Sequence, residues 1–279
     1  SRGLGDVYKR QVQLSPDTRA GNWDACSGYH YDDTTLKGFS HTHLSGTGCI
    51  DLGDILFRPT TLKPDLTTEN IYQPAAFSHK DEDASAGYYS VVLKEEGIKA
   101  ELTVTAHAGM HRYTFPSGKE ASIIIDLTHL LDNEYIYEAE LEQTAANEIT
   151  GMRRTRGWTD NQYVYFVAQF SKPFQAIDFI QNKKMVSAGV KLIGTDLQAC
   201  LSFDNSNGEP VIAKVGLSIV SEKNARENLE AEVIGFDFDA VRSAARSAWE
   251  QALSAITVEG SNTDDLKNFY TAMYHSMVV

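Results

Sequence analysis

The sequence predicts a mostly β protein: a large antiparallel β-sandwich or barrel, followed by helices. Aromatic residues make up 10% of the chain, with 13 Tyr and 12 Phe, and β-branched residues are common, which favours sheets over helical bundles. Short apolar runs recur between turn signals from residue 12 to about residue 219, as closely spaced strands do. Near Ser221 the spacing of apolar residues changes to that of helices.

The segment Ser1 to Gln11, SRGLGDVYKRQ, has no apolar period and no turn leading into a strand. Asp6 to Gln11 resembles the in-frame translation of a transposase adapter end, so residues 1–11 are set aside from fold reasoning; the alternative is a natural disordered N terminus. Beyond them, Glu101 to His107 alternates with period two, which buries one face of a strand. Ser122 to Leu127 is a continuous apolar run, expected of a strand buried on both sides. Tyr163 to Phe170 and Val211 to Ile219 are further strand candidates. Glu96-Gly97, Pro116-Ser117-Gly118 and Asn205-Ser206-Asn207-Gly208 supply the turns.

Helical spacing is expected from Asn224 to Val233. Asp239 is the expected cap of a second helix starting at Ala240, whose one face carries Val241, Ala245, Ala248, Trp249, Ala252 and Ile256. After Gly260-Ser261-Asn262, Thr263 is the expected cap of a third helix. Asp264 and Asp265 sit in its first turn, where the dipole favours anions, and Leu266, Phe269, Tyr270, Met273 and Met277 line one face. No Gly, Pro or polar tail stops this helix, so the chain is expected to be truncated, unless the helix packs back on the sandwich.

The 279 residues, 42% hydrophobic, suffice for one large or two modest cores. A net charge of −13 repels polyanions and argues against a nucleic-acid partner; it is compatible with a neutral ligand such as a sugar, and equally with a merely soluble surface. No apolar run is long enough to span a membrane. Cys26, Cys49 and Cys200 do not make a disulfide framework. Phosphate-binding glycine loops, G-x-S-x-G, H-E-x-x-H and C-x-x-C are all missing.

Polar, aromatic and glycine residues crowd between Gly21 and Asp54. Trp23, Tyr29 and Tyr31 offer flat apolar faces with polar edges, which suit the C–H face of a sugar. Asp24, Asp32, Asp33, His41, His43 and Asp51 can hydrogen-bond hydroxyls. An extended His41-Thr42-His43 puts both imidazoles on one face. They could bind a metal, hydrogen-bond at a pocket or interface, or be buried structural histidines. Asp32-Asp33 and Asp51 with Asp54 are paired carboxylates of the kind glycoside hydrolysis needs, and also common turn formers.

At these residues the sequence resembles glycoside hydrolase family 92. Gln13-Leu14-Ser15-Pro16-Asp17-Thr18-Arg19, Ser27-Gly28-Tyr29-His30-Tyr31 and above all Gly38-Phe39-Ser40-His41-Thr42-His43-Leu44-Ser45-Gly46-Thr47-Gly48 are similar to the family's opening motifs. Gly157-Trp158, Phe166-Val167-Ala168, Ser171-Lys172-Pro173-Phe174, Val215-Gly216-Leu217-Ser218, Asn228-Leu229 and Phe269-Tyr270-Thr271-Ala272-Met273-Tyr274-His275 match further on. The resemblance implies a calcium-dependent, inverting exo-α-mannosidase acting on N-glycans or mannan, with its active site between two domains. It implies a galactose-mutarotase-like β-sandwich over residues 12–220, linker helices over 221–262, and the start of an (α/α) barrel at 263–279. The acid, the base and most ligands of the Ca2+ are expected in the missing C-terminal domain, so neither a catalytic nor a metal-binding residue is carried onto this chain. Trp23 is expected to contact the leaving-group sugar, and Asp24, Tyr29, His41, His43 and Ser45 to form a polar rim or to hold the domain interface. The Trp23-Asp24-Ala25-Cys26 context resembles members with α-1,2 preference. The expected partners are a mannose-containing glycan and the chain's own catalytic domain. The expected place is periplasmic, secreted or cell-surface in a bacterium. A stand-alone carbohydrate-binding sandwich and a structural β-domain are the alternatives.

Overall fold

The computed structural model describes residues 12–21, 26–44, 50–68, 71–132, 135–186, 189, 191–260 and 262–277. In chain order the first strands are β1 (Ser15–Asp17), β2 (Thr35–Leu36), β3 (Gly38–Ser40), β4 (Leu56–Thr60), β5 (Ala75–Ala76) and β6 (Glu82–Ser85). The long antiparallel run comes next as β7 (Tyr88–Leu93), β8 (Ile98–Val104), β9 (Ala108–Thr114), β10 (Ala121–Asp126), β11 (Tyr135–Ala145), β12 (Glu148–Arg156) and β13 (Gln162–Phe170). The last strands are β14 (Ala176–Gln181), β15 (Lys184–Val186), β16 (Leu192–Gly194), β17 (Leu197–Phe203) and β18 (Val211–Ser218). Helices α1 (Glu222–Glu232), α2 (Phe238–Leu253) and α3 (Thr263–Met277) come after them.

These strands make the expected sandwich. A 7-stranded sheet runs β1-β3-β4-β10-β17-β14-β15, and a 9-stranded sheet runs β16-β11-β12-β13-β18-β9-β8-β7-β6. A small β2–β5 ladder lies outside both. Alternate residues of each sheet meet between them. Phe57, Ile123 and Ile125 from one side and Leu102, Tyr113 and Phe166 from the other are inaccessible to solvent in a single core. β10 is buried on both faces, as its unbroken apolar run predicts: Ile124 points away from the sandwich into a satellite cluster with Ile71, Ile180 and Cys200. β8 stops at Val104, three residues short of the alternating run. The amide of Thr105 closes a tight turn on the carbonyl of Ala108 at 2.8 Å, so Thr105 to His107 leave the strand.

Each helix starts at a side-chain cap. Ser221 Oγ accepts the amide of Asn224 at 3.1 Å and opens α1. The cap of α2 is Asp237, not Asp239 as the sequence suggested: Asp237 Oδ1 accepts the amide of Ala240 at 2.9 Å. Phe238 decides this by being buried under the Arg112 guanidinium, 4.4 Å above its ring, while Asp239 bonds that guanidinium from outside at 2.8 Å. Asn262, rather than Thr263, takes the amide of Asp264 at the head of α3. Ala225 and Leu229 of α1, with Val233 and Phe238 beyond it, cover the outer face of the 9-stranded sheet at Tyr88, Met110 and Val167. The predicted face of α2 packs too, through Trp249, except that Ile256 lies past the helix end and is exposed. α3 buries none of its residues. No described helix is long and apolar enough to cross a membrane.

Candidate functional site

One end of the sandwich gathers the loop after β1, the β3–β4 loop, the segment after β10 and the tip of the β12–β13 hairpin. Buried polar contacts tie them together. Asp17, at the end of β1, is inaccessible to solvent. Its Oδ1 accepts from His43 Nε2 at 2.6 Å and its Oδ2 from His129 Nε2 at 2.9 Å. His43 Nδ1 faces the carbonyl of Gln13 at 2.6 Å, so each ring nitrogen has a protein partner. Burial alone would raise the Asp17 carboxyl; the charge of His43 and the two imidazole hydrogen bonds outweigh it and hold it well below the usual carboxylate range. Gly28 closes over this pair at φ +75°. A Cβ there would meet Asp17 Oδ1 at 2.1 Å and His43 Nε2 at 2.8 Å, so no larger residue fits.

A second tie lies beside the first. Asp54 Oδ2 accepts from Thr42 Oγ1 at 2.7 Å and from Gln162 Nε2 at 3.3 Å, and Arg153 Nε stands 3.3 Å from Asp54 Oδ1. Arg153 Nη1 also donates to the carbonyl of His129 at 2.5 Å, which links the two ties. Asp51, again buried, accepts the amide of Trp158 at 3.0 Å. Leu52, between Asp51 and Asp54, and Ile55, just after them, have φ of 75° and 61°, left-handed values that cost a non-glycine residue about 1–3 kcal/mol each.

Of the residues singled out from the sequence, Trp23, Asp24 and Ser45 lie outside the described residues. Tyr29 packs half-buried against the core, and its hydroxyl donates to Glu82 Oε2 at 3.1 Å. Tyr31 is exposed, its ring stacked on His79 at 4.1 Å. His41 and His43 need correcting as members of a rim, because both rings are buried with their nitrogens on protein partners. His41 Nδ1 donates to the carbonyl of Ile55 at 2.6 Å, and its Nε2 meets His111 Nε2 at 2.9 Å. They hold the loop from beneath, which is the structural-histidine reading of the motif. Of the carboxylate pairs, Asp33 is bonded by Arg19 Nε at 2.8 Å and Asp51 and Asp54 anchor loops, while Asp32 stays exposed, 4.0 Å from His30 Nδ1. Among the described residues no group of three or more His, Cys, Asp or Glu could hold a metal ion. The arrangement can present a ligand with rigid loops. The carboxylates Asp17, Asp51 and Asp54 are all committed to protein donors.

Sequence reasoning gave no role to Asp17, His129, Arg153 or Trp158. Gly28 and Gly157 carried the one readable signal, since each sits against a carboxylate too close for a side chain.

Residues 11–218 match the glycosyl hydrolase family 92 N-terminal domain, and residues 224–279 match the glycosyl hydrolase family 92 catalytic domain. The chain belongs to glycoside hydrolase family 92. A family 92 α-mannosidase of Bacteroides thetaiotaomicron is 38% identical, with a TM-score of 0.90 over 96% of this chain and 37% of its own length. That relative has also been solved in complex with mannoimidazole. A second family 92 glycosyl hydrolase structure is 28% identical, with a TM-score of 0.82 over 95% of this chain and 37% of its own. A secreted glycosidase of Arthroderma benhamiae, itself uncharacterized, is 29% identical over 282 residues, covering 90% of this chain and 36% of its own. The chain thus spans little more than a third of the length of these family 92 relatives.

Proposed function

We propose that this chain is the N-terminal part of a calcium-dependent, inverting exo-α-mannosidase of α-1,2 preference, acting on N-glycans or mannan outside the cytoplasm of a bacterium. The loop end held by Asp17, His43 and Asp54 forms one wall of its sugar cleft, with Trp23, Asp24, Tyr29 and Ser45 toward the sugar. The observation that carries the reading is the likeness to an α-mannosidase at 38% identity over 96% of the chain. The engagement of Asp17, Asp51 and Asp54 by protein donors supports it, because it gives these three an anchoring role in the wall and not that of acid or base. Inversion requires those two carboxyl groups to stand far enough apart to hold a water between them. Most ligands of the calcium, too, are assigned to the catalytic domain, and the secreted relative supports export.

The test compares the 279-residue chain with a longer product of the same gene on α-1,2-, α-1,3- and α-1,6-linked mannobiose, with and without a chelator. The chain alone should show no turnover. The longer product should cleave the α-1,2 linkage fastest, release β-mannose first and stop with chelator. Turnover by the chain alone would overturn the assignment of catalysis elsewhere, and a longer product inert on all three linkages would overturn the mannosidase reading.

A further inference from the structure

The tip of the β12–β13 hairpin carries an indole that the loop wall of the cleft does not use. Trp158 leaves 76% of its surface in solvent. Single exposed aromatics are common on protein surfaces, so exposure alone says little. What is unusual is the construction beneath this one. The buried carboxylate of Asp51 accepts the Trp158 amide at 3.0 Å and that of its own neighbour Leu52 at 3.0 Å. Gly157 lies flat on the same carboxylate, where a Cβ would meet Asp51 Oδ1 at 2.1 Å, so only glycine can precede the indole. Asp51 is in turn fixed by a backbone segment whose Leu52 and Ile55 are both left-handed. Ile55 is β-branched, for which that region is a true outlier. A buried carboxylate and a glycine packed flat upon it thus fix the backbone from which an exposed ring projects.

The chemistry around the ring points the same way. Arg156 and Asp160 flank it, paired at 3.7 Å with side chains 61% and 98% exposed, and so offer donors and acceptors beside a flat apolar face. That combination complements a pyranose, whose C–H face stacks on an aromatic ring while its hydroxyls bond at the edge. The hairpin tip also adjoins the proposed cleft wall, since Leu52, next to Asp51, bridges to His43.

We infer that Trp158 is a sugar-stacking platform that binds a mannosyl residue of the glycan further from the cleaved bond than the one at the Gly21–Asp54 loops. This rests on the mannosidase reading and deepens it by one subsite. The test labels the three tryptophans of the chain with 5-fluorotryptophan and follows them by 19F NMR. Methyl α-mannoside, α-1,2-mannotriose and maltotriose are titrated in turn, and Trp158→Phe assigns the resonance. The Trp158 signal should shift saturably with mannotriose and not with maltotriose. Trp158→Ala should weaken mannotriose binding about tenfold, leave methyl α-mannoside binding unchanged and, the ring being exposed, leave the melting temperature unchanged. Trp158→Phe, which keeps a stacking face, should retain most of the affinity. A Trp23 signal that moves while Trp158 stays still would overturn this inference and leave the cleft reading standing. If no tryptophan responds to any mannoside, both fall. Equal shifts with maltotriose would mean indiscriminate stacking and overturn the assigned subsite.

Discussion

Inside the sandwich, protons along one hydrogen-bonded chain can be placed by acceptors alone. The carbonyl of Ile55 can only accept, so His41 Nδ1 must carry hydrogen. His41 Nε2 then accepts from His111 Nε2 at 2.9 Å, and His111 Nδ1 accepts from the Tyr113 hydroxyl at 2.7 Å. Both imidazoles are neutral in this order, and burial holds them so: His41 is pushed down to about 4 and His111 well below the usual histidine range. An unfolded chain protonates both near pH 6.5, so it binds more protons than the folded one as the solution is acidified. Stability is therefore complete above about pH 6.5 and falls as pH drops toward 4, by about 3 kcal/mol from His41 alone. Urea midpoints at pH 7.5 and pH 4.5 measure this. The native chain should lose much more of its midpoint than a His41→Gln/His111→Gln double variant, and parallel losses would disprove the claim. The spacing of His41 and His43 left their use open between metal ligand, pocket donor and structural histidine, and it named none of their partners. His111 lies 70 positions away and Asp17 lies 26, and no local pattern announces contacts of that range.

The strands and helices show where such patterns suffice and where they fail. β10, β13 and β18 could be placed from the sequence within a residue because burial of whole faces writes a period into the chain. The two- and three-residue strands β1, β2, β3 and β5 are too short for any period to appear. The start of α2 slipped because both Asp237 and Asp239 are good caps, and the choice between them was made by the burial of Phe238. Docking of α1 depends on a residue that leaves no periodic trace. At Gly216 of β18 a Cβ would meet the carbonyl oxygen of Ala225 at 2.4 Å and Leu229 Cβ at 2.6 Å, so the helix backbone rests directly on the strand. Gly216→Ala should push α1 off the sheet at a cost of about 1–3 kcal/mol. Hydrogen exchange should then speed up across 222–232 and stay slow in β10 and β17. Unchanged protection of α1 would show that this close approach does not set its docking.

The sandwich class was visible in the succession of turns, whereas its strand order was not: β10 lies between β4 and β17, which chain proximity does not suggest. The boundary between the sandwich and the helices is subtler. The two family matches part between residues 218 and 224, ahead of most of α1. Packing draws the line later. Without α1 and the head of α2, the sheet residues Tyr88, Ala108, Met110 and Val167 would lose the cover of Ala225, Leu229, Val233 and Phe238, and each large side chain among them is worth about 1.5–3 kcal/mol of burial. Trp249, 3% exposed, extends that cover along α2. α3 buries none of its own residues and meets this cover at its far end, where the Tyr274 ring lies 4.7 Å from that of Trp249. A chain ending at residue 257 should therefore melt within a few degrees of the 279-residue chain. One ending at residue 220 should melt markedly lower and bind a hydrophobic dye such as ANS, since it bares an apolar sheet face. Circular dichroism melts with dye titration decide between the two boundaries. If the chain ending at 220 matched the longer ones and bound no dye, α1 and α2 would belong energetically to the catalytic side, as the family matches divide them, and the sandwich would be complete at β18.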